Sequence, residues 1–378
     1  MLQSYPYLLD STLRDGEQAA GVAFDPATRK DIATALADIG IPELEIGIPA
    51  MGSDEVQSLR EIVRLGLPCR LLTWGRALRE DLEAAARTGS AGVHFSLPAS
   101  FVHQRIWKWD EARVIETLND LAAFCRDNFA YFSVGAQDAS RAELPFLKEF
   151  VRQAESVGAR RVRLADTIGR MNPFTVAELM REIRTEVNLE LEFHGHNDLG
   201  LAVANSLAAL LAGAEVASVT VNGLGERAGN AALEELVMAL RHSAGIELEY
   251  STSGLQALSN KVAEASQQTI RPQKPISGSS AFRHESGLHC AGQRRDERAY
   301  QLFSASEVGA EEEPFVLGRH SGTINLQEAA ARLGQDLSNE DARHLLVYLR
   351  EQVGELGRSL NQEEIEKLLQ KNEQQKTA

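Results

Sequence analysis

Eight short runs of β-type residues alternate with longer amphipathic segments between Tyr7 and Gly245. The predicted strands are Tyr7–Asp10, Leu44–Ile48, Arg70–Trp74, Gly92–Leu97, Tyr131–Gly135, Arg161–Ala165, Leu189–His194 and Val216–Val221. The predicted helices between them include Pro26–Ile39, Asp81–Thr88, Glu111–Asn128, Ala142–Val157, Thr175–Thr185 and Leu199–Ala212. Such alternation indicates a parallel sheet with crossover helices. Eight units within about 240 residues favour closure into a (β/α)8 TIM barrel of the α/β class.

The barrel is predicted to occupy residues 1–250 of the 378-residue chain. A helix at Ser251–Gln268 leads into a segment rich in Pro, Gly and Ser, so residues 251–280 are predicted to form a helix and a linker. Residues 281–378 are predicted to form a smaller, mostly helical C-terminal module.

Charge and cysteine content exclude several classes of protein. The net charge of −15 argues against a general binder of nucleic acids or anionic membranes. No apolar run approaches the roughly 20 residues that span a bilayer. Three cysteines without a paired motif, and no secretory signal, are typical of a reducing compartment. The sequence therefore predicts a cytoplasmic protein with small-molecule ligands.

Metal-ligating residue types stand where two of the strands end. His194 and His196 are two residues apart, so on a strand both imidazoles point to the same face. Asp15 follows the first strand, which lies two places from the seventh in a closed barrel. Two histidines and one carboxylate leave open positions for a chelating substrate on a divalent metal. Hydrogen-bonded polar residues at a strand end are the alternative.

Three further segments carry candidate functional residues. Arg14 can stabilise an alkoxide that develops on a metal-bound ketone, or pair with a carboxylate such as Glu45. The glycine-rich loop 222–230 lacks the spacing and lysine of a phosphate loop, and presents either Glu226 or a purely structural turn. Segment 281–289 contains two histidines and a glutamate, which act in the site or as helix caps.

Five motifs in this order resemble the metal-dependent barrel synthases and lyases that include isopropylmalate, homocitrate and citramalate synthases. They are Asp10–Gln18 (DSTLRDGEQ), His194–Gly200 (HGHNDLG), Gly223–Asn230 (GLGERAGN), His284–His289 (HESGLH) and Leu317–Gly322 (LGRHSG). The resemblance covers residues 5–335. Segments 16–24, 42–52 and 221–235 look most like homocitrate synthases of nitrogen-fixing bacteria.

The resemblance implies a role for each matching residue. Asp15, His194 and His196 would hold a divalent metal (Mg²⁺, Mn²⁺ or Zn²⁺), and Arg14 would face the ketone oxygen. Gln18 and Thr167 would place the carboxylate of the 2-oxo acid, with Asn230 near the metal. Glu226 and His289, aided by Tyr300, would remove a proton from the acetyl-CoA methyl group. The module after the barrel would reach the active site of a partner subunit in a homodimer.

The implied reaction condenses acetyl-CoA with 2-oxoglutarate to give homocitrate and CoA. Alternatives are an isopropylmalate or citramalate synthase, a hydroxymethylglutaryl-CoA lyase, and a barrel that only binds ligand. The lyase is less favoured because its glycine loop normally carries a cysteine, and loop 222–230 has none.

Two positions depart from the family pattern, and a third bears on the substrate. Gln137 stands where a glutamate usually precedes the Asp-Ala-Ser of strand five, and a neutral amide cannot act as an anionic base. His94 stands where homocitrate synthases of this branch often have an aspartate, and resembles isopropylmalate synthases. Arg76 is the candidate partner for a distal carboxylate of the oxo acid, with a surface arginine as the alternative.

Overall fold

A computed structural model describes residues 6–311 and 316–376, with side chains as far as Gln370. Eight parallel strands form a closed barrel in the order β1 to β8, and β8 pairs with β1. The strands are β1 (Tyr7–Asp10), β2 (Glu43–Glu45), β3 (Arg70–Arg76), β4 (Gly92–Pro98), β5 (Tyr131–Gln137), β6 (Arg161–Asp166), β7 (Glu190–Gly195) and β8 (Val216–Val219). The predicted TIM barrel is confirmed.

Helices connect the strands of the barrel, and further helices come after the last strand in sequence. They are α1 (Pro26–Asp38), α2 (Ser53–Arg64), α3 (Arg79–Ala86), α4 (Phe101–Trp107), α5 (Glu111–Asn128), α6 (Leu144–Ser156), α7 (Pro173–Arg184), α8 (Ala202–Leu211), α9 (Leu233–His242) and α10 (Leu255–Ser266). Local chemistry fixes several of their starts. Asp25, for example, accepts a hydrogen bond from the Thr28 amide at 2.8 Å ahead of Pro26, which is pre-set for the first helical turn.

The second strand is shorter than predicted and ends three residues earlier. The backbone continues to pair beyond it, since the Ile46 amide donates to Leu72 and the Trp74 amide donates to Gly47. At Gly47 the φ angle is 152°, and an added Cβ would lie 2.8 Å from Leu59. The chain therefore turns at this glycine into the short helical turn Pro49–Met51.

A layer of buried ions crosses the barrel interior, where apolar side chains are usual. Glu43 and Glu45 on β2 face Arg161 and Arg163 on β6, and all four are nearly inaccessible to solvent. Arg161 Nη1 donates to Glu43 at 2.7 Å, and Arg163 Nη2 donates to Glu45 at 2.9 Å. Glu192 on β7 accepts from Arg163 Nε at 2.5 Å. Each buried charge thus has opposite charges as partners, which is the condition for keeping ions inside a fold.

The chain divides into two compact units, with the division between Ile270 and Arg271. The second unit contains α11 (Gly287–Gln293), α12 (Thr323–Arg332), α13 (Asn339–Leu356) and α14 (Gln362–Lys376). Its own apolar core includes Leu326, Leu345 and Leu349. The mostly helical C-terminal module is thus confirmed. Among the described residues no helix has the length and apolar character needed to cross a membrane.

Candidate active site and metal centre

Asp15, His194 and His196 lie together at the carboxyl end of the barrel. Their candidate ligand atoms all lie within 4.8 Å of one another, and the three residues are buried. His194 Nε2 is 3.3 Å from Asp15 Oδ2 and 3.3 Å from His196 Nε2. The topology explains this arrangement, because β1 and β7 both pair with β8. A carboxylate and two imidazoles far apart in sequence therefore converge on one point.

The pKa values of the three side chains favour the protonation states in which each can bind a metal ion. Burial lowers the pKa of His194 to about 3, and burial also lowers the pKa of His196. Burial alone would raise the pKa of Asp15, but the charge of the Arg14 guanidinium is the main opposing influence, and that pKa is lowered. Neutral imidazoles beside an ionised carboxylate are the protonation states that a divalent metal requires.

The unsatisfied atoms of the cluster also fit a metal. Asp15 Oδ2 is buried and accepts no hydrogen bond from any described residue. The two Nε2 atoms face each other, although only one of them can carry the proton of a shared hydrogen bond. Ser218 Oγ lies 3.1 Å from His194 Nδ1, so the other ring nitrogen is free to bind an ion. A divalent cation would satisfy these groups together.

Arg14 connects the Asp15, His194 and His196 side chains to the buried ion pairs of the barrel interior. Its Nη1 donates to Asp15 at 2.9 Å, and its Nε donates to Glu45. Both expectations for this residue are compatible, because the ion pairs hold the guanidinium in a fixed orientation beside the cluster. Glu45 also pairs with Arg163 and so belongs to both networks.

Loop 222–230 closes over β8 in a conformation that glycine makes possible. At Gly229 the φ angle is 85°, and an added Cβ would meet the Gly223 carbonyl oxygen at 1.9 Å. Asn230 donates through Nδ2 to the Leu224 carbonyl at 3.0 Å, while its buried Oδ1 has no partner among the described residues. Asn230 also forms a β-bridge with His196, which places it beside the metal cluster. Glu226 is exposed near the tip of this loop.

The other residues predicted to bind the oxo acid occupy different depths. Thr167 follows β6, and its Oγ1 accepts from the Asp138 amide at 2.9 Å. Gln18 is exposed in the segment after β1. His94 lies deeper, fully buried on β4, with its Nδ1 2.7 Å from Ser133 Oγ. Burial and the nearby Arg163 hold the pKa of His94 well below its usual range, so this imidazole is neutral.

Arg76 and Gln137 end two strands on the opposite side of the mouth. The side chain of Arg76 is 61% exposed, yet its Nε and Nη2 both donate to the buried Asp81, at 2.9 Å and 2.8 Å. Gln137 is half-buried at the end of β5. Arg76 is thus already bound to a carboxylate of its own chain.

In the second unit, His289 and Tyr300 form a pair. Their rings stack with centroids 4.1 Å apart and planes inclined by 21°. His284 also approaches His289, with 5.9 Å between ring centroids. The resemblance had linked His289 with Tyr300, and the stacked contact holds the two side chains together.

Sequence reasoning missed two features of the barrel mouth. Ser218, which orients His194, is an ordinary strand serine, and only its register opposite His194 on β7 reveals the role. The second feature is a cavity lined by Trp74, Trp107 and Trp109. The sequence places Trp74 on a strand and Trp107 and Trp109 more than 30 residues later, so it gives no signal that the three side chains line one cavity.

The fold and the cluster define a class: parallel (β/α)8 barrels with a candidate metal site at the carboxyl ends of their strands. The model of the HMGL-like family matches residues 5–262, and the homocitrate synthase post-HMGL domain-like model matches residues 276–354. The chain belongs to the HMGL-like family.

Curated relatives match over nearly the whole chain. A 2-isopropylmalate synthase 2 of Caldanaerobacter subterraneus is 41% identical, covering 95% of this chain and 94% of its own. Homocitrate synthase 1 of Nostoc sp. is 40% identical, covering 94% of each. These similar identities support the family without singling out the homocitrate type. An HMG-CoA lyase from Brucella melitensis shares the fold with a TM-score of 0.63 at 21% identity, covering 70% of this chain and 99% of its own.

Proposed function

We propose that this protein condenses the acetyl group of acetyl-CoA with a 2-oxo acid, forming a 2-substituted malate and CoA. The observation that carries this proposal is the cluster of Asp15, His194 and His196 with Arg14 bound beside it. Relatives named as 2-isopropylmalate and homocitrate synthases at 40–41% identity support the same reaction class.

Asp15, His194 and His196 would hold the divalent cation, which supplies Lewis-acid polarisation of the substrate ketone when it is bound. Arg14 provides a fixed positive charge for the oxygen that becomes an alkoxide. Its pairing with Glu45 orients the guanidinium before substrate arrives, so no reorganisation is needed as charge develops. Thr167, Gln18 and Asn230 are proposed to position the carboxylate end of the oxo acid.

Glu226 and His289, with Tyr300 stacked on His289, are proposed to remove the methyl proton of acetyl-CoA. The resulting carbanion forms a carbon–carbon bond to the ketone carbon, and the ketone oxygen takes up a proton. Water then cleaves the thioester, which leaves a new carboxylate and the CoA thiol. General base catalysis of this kind contributes typically about 10²–10⁴-fold. We further propose that a homodimer supplies His289 and Tyr300 to the barrel of the partner.

The resemblance to homocitrate synthases implies 2-oxoglutarate as the oxo acid. That substrate needs a cation for its distal carboxylate, and the predicted cation is Arg76. Because Arg76 already binds Asp81 through two nitrogens, its use would require that this pair opens or shares its charge.

A direct assay follows the release of free CoA from acetyl-CoA in the presence of pyruvate, 2-oxoisovalerate or 2-oxoglutarate. We expect CoA release that depends on an oxo acid, stops on addition of a chelator and returns with Mg²⁺ or Mn²⁺. Asp15→Asn should lack this activity, while Glu83→Gln, on an exposed ion pair, should match the parent protein. Acetyl-CoA formation from hydroxymethylglutaryl-CoA, without any oxo-acid condensation, would instead identify a lyase.

A further inference from the structure

A cavity of about 420 Å³ opens at the ends of β3, β4 and β5. Its walls include Trp74, Trp107 and Trp109, which are all three tryptophans of the chain. Trp74 lies on β3, two residues before the strand ends, whereas Trp107 and Trp109 come from the end of α4 and the residues after it. Leu78 adds a further apolar wall. An indole has a broad apolar face, so three of them around one space favour a flat, apolar occupant.

The cavity adjoins the candidate metal centre through a single side chain. The guanidinium carbon of Arg14 lies 5.5 Å from the centroid of the Trp74 ring. The same guanidinium donates to Asp15 at 2.9 Å. A 2-oxo acid whose ketone lies beside Arg14 therefore has the cavity within reach of the group on its third carbon.

The polar groups that line the cavity are two neutral side chains and one arginine, which is paired with a carboxylate outside the lining. Ser96 contributes a hydroxyl, which lies 3.1 Å from His94 Nε2, and Gln137 contributes a neutral amide. Arg76 is a cation, but Nε and Nη2 both donate to the Asp81 carboxylate. A carboxylate placed among the tryptophans would lose hydration without gaining a free cation. An uncharged aromatic group has no charge to desolvate, and placing it in the cavity removes apolar surface from water.

Resting on the proposed condensation, we propose that the oxo acid of this enzyme carries an uncharged aromatic group, as in an aryl-substituted pyruvate. Trp74, Trp107 and Trp109 are then the specificity-determining residues that enclose this ring. Size is compatible, since an apolar cavity of about 150 Å³ is enough to hold benzene.

Binding can be measured separately from turnover, because every tryptophan of the chain borders the cavity. Tryptophan fluorescence of the full-length protein is titrated with 3-phenyllactate, 2-hydroxyglutarate and lactate, which are unreactive 2-hydroxy analogues. We expect a saturable change with 3-phenyllactate at concentrations at least about tenfold below those needed for the other two, as differences in apolar contact commonly give. Equal or tighter binding of 2-hydroxyglutarate would overturn the proposal.

Turnover provides the second test. The ratio of kcat/KM for phenylpyruvate over 2-oxoglutarate should exceed about tenfold in the parent protein. Trp109→Ala should lower kcat/KM for phenylpyruvate relative to pyruvate by about tenfold. Leu78→Arg adds a cation to a partly exposed wall and should shift preference toward 2-oxoglutarate, which gives a gain of function that misfolding cannot imitate.

The outcomes separate this proposal from the proposed function. If no oxo acid supports CoA release, the condensation itself is wrong. If CoA is released fastest with 2-oxoglutarate, the condensation stands and the aromatic substrate is wrong. If Trp109→Ala raises KM for acetyl-CoA and leaves the oxo-acid ratio unchanged, the cavity holds the acyl-CoA and the proposal is also wrong.

Discussion

At the scale of single residues, the candidate metal site includes neighbours that orient the three potential ligands without being ligands themselves. Ser218 Oγ lies 3.1 Å from His194 Nδ1 and helps to orient the ring. Such outer partners of metal ligands typically alter affinity by about 10–100-fold when removed. We therefore propose that this serine on β8 positions a ligand of the candidate metal site, a role that its residue type alone does not indicate.

Ser218→Ala is therefore expected to weaken Mn²⁺ binding by about 10–100-fold, measured by calorimetry on metal-free protein. Ser133→Ala is the matched control, because Ser133 Oγ lies 2.7 Å from Nδ1 of His94, a histidine outside the cluster. The control should bind Mn²⁺ like the parent protein. Equal losses in both variants would show that general loosening of the barrel, and not orientation of His194, controls affinity.

Arg14 provides the second prediction at this scale. Arg14→Lys keeps a positive charge, but an ammonium group lacks the planar guanidinium that donates to both Glu45 and Asp15. The charge is therefore no longer held in a fixed orientation. We expect kcat to fall by about 10²–10³-fold, which is the usual cost of removing one fixed stabiliser of a developing oxyanion. Steady-state kinetics of CoA release test this, alongside calorimetry for Mn²⁺. An unchanged kcat in this variant would show that Arg14 does not stabilise the developing oxyanion.

At the scale of elements, the alternation of eight strands with helices predicted the barrel, because parallel strands need crossover helices between them. Strand β1 and helix α5 begin and end where the pattern places them. Helix α4 lies outside the predicted set, since it is short and exposes Phe101, Ile106 and Trp107. The pair of imidazoles was readable from its two-residue spacing. The tryptophan cavity was not, because it requires α4 to bring its residues beside β3.

The buried ions on β2 and β6 give a prediction about pH. Burial alone would raise the pKa of Glu43, but Arg161 and Arg70 outweigh it and lower the pKa to about 2. A carboxyl with a lowered pKa stabilises the fold above its unfolded pKa, and this stabilisation is lost as pH falls toward the folded value. Glu43 therefore contributes fully near neutral pH and progressively less below about pH 4.5.

Glu43→Gln leaves Arg161 without one of its charged partners and should cost about 3 kcal/mol of unfolding free energy near pH 7. The difference from the parent protein should shrink to about 2 kcal/mol near pH 3.5, because the parent carboxyl then takes up a proton in the unfolded chain while it stays mostly ionised in the folded protein. Urea unfolding at several pH values measures both numbers. Glu83→Gln, at an exposed pair with Arg79, should change stability by less than about 0.5 kcal/mol throughout. A difference in unfolding free energy that stays constant with pH would contradict the lowered pKa of Glu43.

At the scale of the whole molecule, the chain separates its candidate chemistry between two compact units. The barrel unit contains the metal cluster, Arg14 and Glu226, and the second unit contains the stacked His289 and Tyr300. Each unit has its own apolar core, so periodicity and composition predict both. Neither property carries information on which copy of the chain supplies His289 to a given barrel, because assembly depends on surfaces and not on the core.

Complementation between inactive variants tests the proposed sharing of active sites. Arg14→Gln inactivates the barrel, and His289→Ala inactivates the second unit, so each variant alone should be inactive. If a homodimer places His289 over the partner's barrel, a mixed dimer contains one site with both native residues. Random pairing on co-expression should then restore about a quarter of the parent activity. Co-expression of Arg14→Gln with Asp15→Asn should restore none, because both changes lie in the barrel. Failure of the first pair, despite mixed dimers recovered through two affinity tags, would show that each chain completes its own site.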